Sequence, residues 1–141
     1  MMKINHNPKF DTEKVCQLYS EKDGVPVKYV CTSAITAYAS HACDVFYRET
    51  PHPEFGNRYF GLFIRNDHMY ITNADGIEEL TFDMVESNDE FHYSQHRHDF
   101  RPVPGKNVSI DGGRAYNRLV GDVSVSVKSF KVKDGEFVNA L

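Results

Sequence analysis

The stretch Arg58-Tyr-Phe-Gly-Leu-Phe-Ile-Arg65, followed by Asn66-Asp67 and then His68-Met-Tyr-Ile-Thr72, decides the fold. Successive side chains of an extended strand point to opposite faces, so Phe60, Leu62 and Ile64 share one side while Tyr59 and Phe63 share the other. Apolar residues on both sides predict a central strand covered on both faces. Asn66-Asp67 turns the chain into a second strand, and Asn73-Ala-Asp-Gly76 makes another turn.

Downstream the alternation continues. In the acidic stretch 78–86, Leu80, Phe82 and Met84 face one way and Glu79, Thr81 and Asp83 the other. Ser87-Asn-Asp-Glu90 reads as a hairpin loop into a strand from Phe91 to Arg101, which would set the acidic side chains beside Arg97 and Arg101. A last strand, 123–132, changes parity between Val127 and Phe130, which predicts a bulge near Lys128-Ser129, and Asp134-Gly135 turns the chain once more. Upstream, residues 1–14 read as an irregular lead-in. Residues 15–31 read as a hairpin turning at Asp23-Gly24, with Pro26 confining the second strand to a sheet edge. Residues 33–43 have helical spacing at Ile35, Tyr38, Ala39 and Ala42, with a strand running on into Asp44-Val-Phe-Tyr-Arg-Glu49 as the competing reading. Pro51 and Pro53 stiffen the loop 50–57. The fold class this predicts is α+β, mainly antiparallel β-sheet, sandwich or barrel-like, with at most one or two short helices.

A chain of 141 residues suits a single domain, 1–141, with a core of its own. No apolar run reaches the roughly 20 residues of a membrane span, and the first residues lack the apolar core of a secretory signal, so a cytoplasmic protein is expected. Three cysteines, Cys16, Cys31 and Cys43, lack paired spacing and read as reduced thiols.

Charge is unevenly spread. Asp75 to Glu90 carries seven acidic residues and no Lys or Arg, whereas Tyr93 to Arg118 carries five Lys/Arg against Asp99 and Asp111, inside a chain of net charge −4. Within this cationic stretch, Gly112-Gly113 suits a nest of backbone N–H groups, and Arg97, Arg101, Arg114 and Arg118 suit bidentate contacts to phosphate or carboxylate. Asp111, Gly112 and Gly113 would shape the loop. His96 and His98, at strand spacing, are the weak candidates for a metal; with Asp99 and Asp111 they are also the general acid–base candidates of an enzyme. No resident cofactor is expected, and the absence of a nucleophile elbow turns the balance from enzyme toward binding protein.

The strings Phe46-Tyr-Arg-Glu-Thr-Pro-His-Pro-Glu-Phe-Gly-Asn-Arg-Tyr-Phe-Gly61, Tyr93-Ser-Gln-His-Arg-His-Asp-Phe100 and Ile110-Asp-Gly-Gly-Arg-Ala-Tyr116 resemble those of small uncharacterised accessory proteins of tailed phages and prophages. The resemblance implies a setting, the host bacterial cytoplasm, and brings no catalytic residues with it. The leading expectation is a small phage-type accessory protein that binds an anionic ligand, a nucleotide for instance, to counter host defence. A His/Asp-dependent phosphoester hydrolase is one alternative. An acidic-faced inhibitor of a host protein, acting through Glu78, Glu79 and Asp83, is the other. Nucleic acid is disfavoured as a partner by the net negative charge, and a homo-oligomer stays open.

Overall fold

A computed structural model describes residues 3–33, 43–93, 101–111, 118–121 and 125–140, with the backbone alone at Arg101, Asp111 and Arg118. The elements are β1 (Ile4–Asn5), α1 (Thr12–Asp23), β2 (Val27–Ser33), β3 (Cys43–Arg48), β4 (Tyr59–Arg65), β5 (His68–Asn73), a 3-10 turn at Asp75–Glu79, β6 (Phe82–Ser87), β7 (Glu90–His92), β8 (Arg101–Pro102), β9 (Val108–Asp111), β10 (Arg118–Gly121), β11 (Val127–Lys133) and β12 (Glu136–Asn139). The fold is strand-rich α+β, and the strand pairs are antiparallel except β1 with β7.

The first sheet is a meander, β2-β3-β4-β5, with β4 inside it. Tyr59 and Phe63 of β4 pack into a core shared with Phe82, Met84, Tyr93, Phe130 and Val132 of the second sheet and its margins. Phe60 and Leu62 point the other way and join Phe46 beneath Val15, Cys16 and Tyr19 of α1. The doubly covered strand is therefore where the alternation predicts it. The second sheet, β1-β7-β6-β11-β12, is covered on its far side as well: Val85 packs with Val103, Val108 and Ile110 of the third sheet, β10-β9-β8, and its margin. Helix, sheet, sheet and sheet thus lie in layers, a sandwich with added covers. No helix among the described residues is long and apolar enough to cross a membrane.

Several local expectations need correction. Residues 15–31 are not a hairpin, because α1 occupies Thr12–Asp23 and only β2 is extended. Asp11 caps the helix by accepting from Lys14 N–H at 3.2 Å, and Gly24, at φ 68°, ends it with its N–H on Ser20 O. Asp23-Gly24 does turn the chain, but as a helix end. The lead-in 1–14 likewise contains β1 and the first turn of α1. The strand expected over 78–86 begins only at Phe82, since Asp75–Glu79 forms the 3-10 turn opened by Asn73 Oδ1 accepting from Asp75 N–H. The β6–β11 ladder runs without interruption from Val127 to Phe130, so no bulge stands at Lys128-Ser129. The parity change arises because Val127, paired with Val85, and Phe130, paired with Phe82, lie on opposite faces of one regular strand. Nor does the cationic strand lie beside the acidic one at Arg101, for β8 pairs with β9 in the third sheet. Of the helix-or-strand stretch 33–43, Ser33 ends β2 and Cys43 opens β3, and positions 34–42 lie outside the described residues.

Other turns stand as read. Asn66, Asp67, Asn88 and Asp89 have positive φ in the β4–β5 and β6–β7 hairpins, as does Asp134 before Gly135 in the β11–β12 hairpin. The predicted edge position after Pro26 holds, since β2 is an outer strand of its sheet. Cys31 and Cys43 are buried and Cys16 is half-buried.

Candidate functional site: a ring-walled cleft between sheet edges

β1 and β12 are the two outer strands of the second sheet, yet both border one cleft. The sheet curls until its edges face each other, and β2, an outer strand of the first sheet, supplies the third wall. The cleft has a volume of about 490 Å³ and is lined by Lys3, Ile4, His6, Tyr29, Val30, Gly135, Glu136 and Phe137. Its central group is His6. The imidazole meets Tyr29 edge-on at 5.1 Å and Tyr93 edge-on at 5.6 Å, and lies stacked 6.1 Å from Phe137.

Two hydrogen-bonded branches hold these rings. His6 Nδ1 lies 2.7 Å from Tyr93 Oη, which also accepts from Thr32 N–H at 3.1 Å. On the other branch Tyr29 Oη lies 2.5 Å from Thr32 Oγ1, and Thr32 donates its proton to Asp44 Oδ1 at 2.9 Å. With that proton committed, the Tyr29 hydroxyl is the donor to Thr32. Asp44 Oδ2 accepts from Lys9 N–H and Phe10 N–H, each at 2.9 Å, and so ties the segment after β1 to the first sheet. Burial pushes the Tyr29 phenol well above its ordinary range, and the neighbouring Tyr93 adds to the rise. Burial also raises the Asp44 carboxyl, against the partial offset of the Phe10, Thr32 and Lys9 hydrogen bonds.

A backbone irregularity makes the second branch possible. Tyr29 pairs with Phe46 and Cys31 with Val45, which leaves Val30 as an extra residue in β2. An uninterrupted strand would put Tyr29 and Thr32 on opposite faces; the bulge brings both to the Asp44 side. The β11–β12 turn closes the cleft from the other direction. Tyr59 Oη donates to Glu78 Oε2 and accepts from Gly135 N–H at 3.0 Å, and Glu78 Oε2 takes Asp134 N–H at 3.0 Å. Gly135 has φ 79°, and a Cβ there would stand 2.5 Å from Lys28 Cε and 2.8 Å from Tyr47 Cγ. Gly135→Ala is expected to lower stability by about 1–3 kcal/mol, read as a shift of the urea midpoint, with Gly76→Ala as the unstrained control.

Chemically this arrangement holds rings still. The Tyr29 and Thr32 hydroxyl protons run toward a buried carboxylate that already has two N–H donors, so they lead away from the cleft. The rim carries both charges, Lys3 beside Glu90 at 3.9 Å and Glu136 beside Lys28 at 3.3 Å.

The residues singled out in the sequence fall elsewhere. His96, Arg97, His98, Asp99, Gly112, Gly113 and Arg114 lie outside the described residues. Arg101, Asp111 and Arg118 are brought together at backbone level. Arg101 pairs with Ile110 and Asp111 with Arg118, so the three positions occupy one end of the third sheet. His92 is buried in β7, its Nε2 without a hydrogen-bond partner among the described residues and 3.8 Å from Glu90 Oε1. His52 belongs to the loop before β4, stacked on Phe55. Among the described residues no three His, Cys, Asp or Glu side chains converge as a metal site. On the acidic side, Glu78 and Asp83 are engaged within the fold, the latter by Ser129 Oγ at 2.5 Å. His6, Tyr29 and Phe137 carried no local signal, because they come from three distant parts of the chain.

No family model matches the chain, and no curated protein or solved structure matches it either.

Proposed function

We propose that this chain is a small-molecule binding protein that takes a planar, anionic ligand of nucleotide size into the cleft between β1, β2 and β12. The carrying observation is the cleft itself, about 490 Å³, with ring walls at His6, Tyr29 and Phe137. Ligand pockets typically measure about 300–1,000 Å³ and combine aromatic walls with a few placed polar groups. Lys3 at the rim is the cation that lines the cleft among the described residues and would meet an entering phosphate or carboxylate. The resemblance to phage accessory proteins supports a sequestering role, in which a rigid protein removes a signalling ligand of the host. A second place proposed for the anion is the cationic end of the third sheet, a reading supported by the backbone register that brings Arg101, Asp111 and Arg118 to one end.

Titration calorimetry over a panel of mononucleotides and cyclic dinucleotides tests this. Binding of at least one member is expected, with Phe137→Ala weakening it about tenfold or more, equal to about 1.4 kcal/mol. Lys3→Glu should weaken the charged ligands and spare the uncharged nucleoside. Absence of heat across the panel would overturn the proposal. Binding that survives Phe137→Ala but is lost in Arg114→Ala would move the site to the cationic segments.

A further inference from the structure

β5 is an outer strand of the first sheet, bonded to β4 on one side and to no described strand on the other. Outer strands ordinarily carry charge, proline, a bulge or short length, which keep their free backbone groups from pairing with another chain. The other outer strands of the first two sheets follow that habit. β2 carries Lys28 and the Val30 bulge and lies against α1, β12 carries Glu136, and β1 is two residues long. β5 does not. Its six residues, His68-Met-Tyr-Ile-Thr-Asn73, include no Lys, Arg, Asp, Glu or Pro, and its ladder with β4 is regular.

The side chains beside this bare edge are apolar and open. Met69 is 56% exposed, Ile64 opposite it on β4 is 50% exposed, and Tyr70 is 42% exposed although stacked on Phe63. Met69 and Ile64 lie on the helix face of the sheet and Tyr70 on the inner face, so exposed apolar side chains stand on both faces at this margin. A hollow of about 150 Å³ beside Tyr70, lined also by Phe63, Arg65, Ile71 and Thr72, has room for a single side chain.

We propose that this edge joins two copies of the chain, β5 pairing antiparallel with β5 of the second copy about a two-fold axis normal to the sheet. Such an axis keeps each face continuous, so paired residues must share a face. A register centred on Tyr70 sets Tyr70 against its own counterpart, Met69 against Ile71 and His68 against Thr72. Aromatic and aliphatic cross-strand pairs of this kind are favourable, and an uncharged strand meets its copy with no like charges opposed. That self-compatibility is what selects a second copy, since a chain of net charge −4 repels itself elsewhere. One short strand buries less than the roughly 1,200 Å² of a stable interface, so the dimer dissociates in the micromolar range. The cleft borders β2, at the opposite edge of the same sheet, and each copy keeps its own cleft open.

Sedimentation equilibrium of the full chain, over about two decades of concentration around micromolar, should show a reversible monomer–dimer equilibrium. Met69→Lys and, separately, Tyr70→Lys should each raise the dimer dissociation constant about tenfold or more, while thermal melting of the monomer stays close to wild type. Hydrogen exchange at amides 68–73 should slow as concentration rises. A monomer at every concentration would overturn the proposal, even if an added apolar peptide then protected those amides. A dimer indifferent to both lysines would overturn it as well, because it would use another surface.

Discussion

Phe60→Ala is expected to lower the stability of the fold by about 3–5 kcal/mol, whereas Ile64→Ala on the same face of β4 should cost less than about 1 kcal/mol. Phe60 is 0% exposed, and Ile64 is 50% exposed. The Phe60 ring stacks 5.6 Å from Phe46 and lies 5.4 Å from Tyr19 of α1 and 5.7 Å from His52 of the preceding loop. Removing it leaves a cavity where sheet, helix and loop meet, and neighbours on three separate elements cannot all close in. Urea unfolding of the two variants reads the difference as a midpoint shift at constant slope. Equal effects would mean that the helix does not cover this face.

Asp44→Asn is expected to lower stability by about 2–4 kcal/mol, although it changes size hardly at all. Asp44 is fully buried, and its two oxygens accept from Lys9 N–H, Phe10 N–H and the Thr32 hydroxyl. An amide keeps one acceptor and turns its NH2 toward groups that are themselves donors. The segment 9–10 then loses its anchor, and with it the hold on His6. Acid dependence gives a separate reading. Burial raises the folded-state carboxyl above its unfolded value, so ionisation works against folding. The stabilisation of wild type relative to Asp44→Asn should therefore be greatest below the ordinary carboxylate range. It should decline as pH rises through the raised folded-state value and then level off. A margin that widened with rising pH would show that the three hydrogen bonds outweigh burial.

The contrast between β4 and α1 shows what local sequence can convey. β4 was legible because apolar residues at every position of a short run leave few options but a strand buried on both faces. α1 was misread as a strand because Val15, Cys16 and Tyr19, its inward face, also fit a β-rich run, and none of its residues is fully buried. Its ends were signalled: Asp11 before Thr12-Glu13, and Gly24 after Lys22-Asp23. Asp23-Gly24, however, serves a hairpin turn and a helix end equally well, since both call for positive φ. The cleft was beyond such reading. His6, Tyr29 and Phe137 meet only because the second sheet curls and β2 carries an extra residue, and neither property leaves a periodic trace. The parity break suspected near Lys128-Ser129 pointed to the right kind of device but to the wrong strand.

The curled second sheet also bears on the order of folding events. Its margins come from opposite ends of the sequence, so bringing His6 to Phe137 closes a loop of almost the whole described chain. Such closures are entropically expensive and slow relative to local hairpins such as β4–β5 or β11–β12. The ring walls should therefore assemble late, after the rate-limiting barrier. Substitutions at His6 would then speed unfolding while leaving refolding nearly unchanged. A ligand captured between those walls would act as a kinetic clasp, prolonging the life of the folded chain.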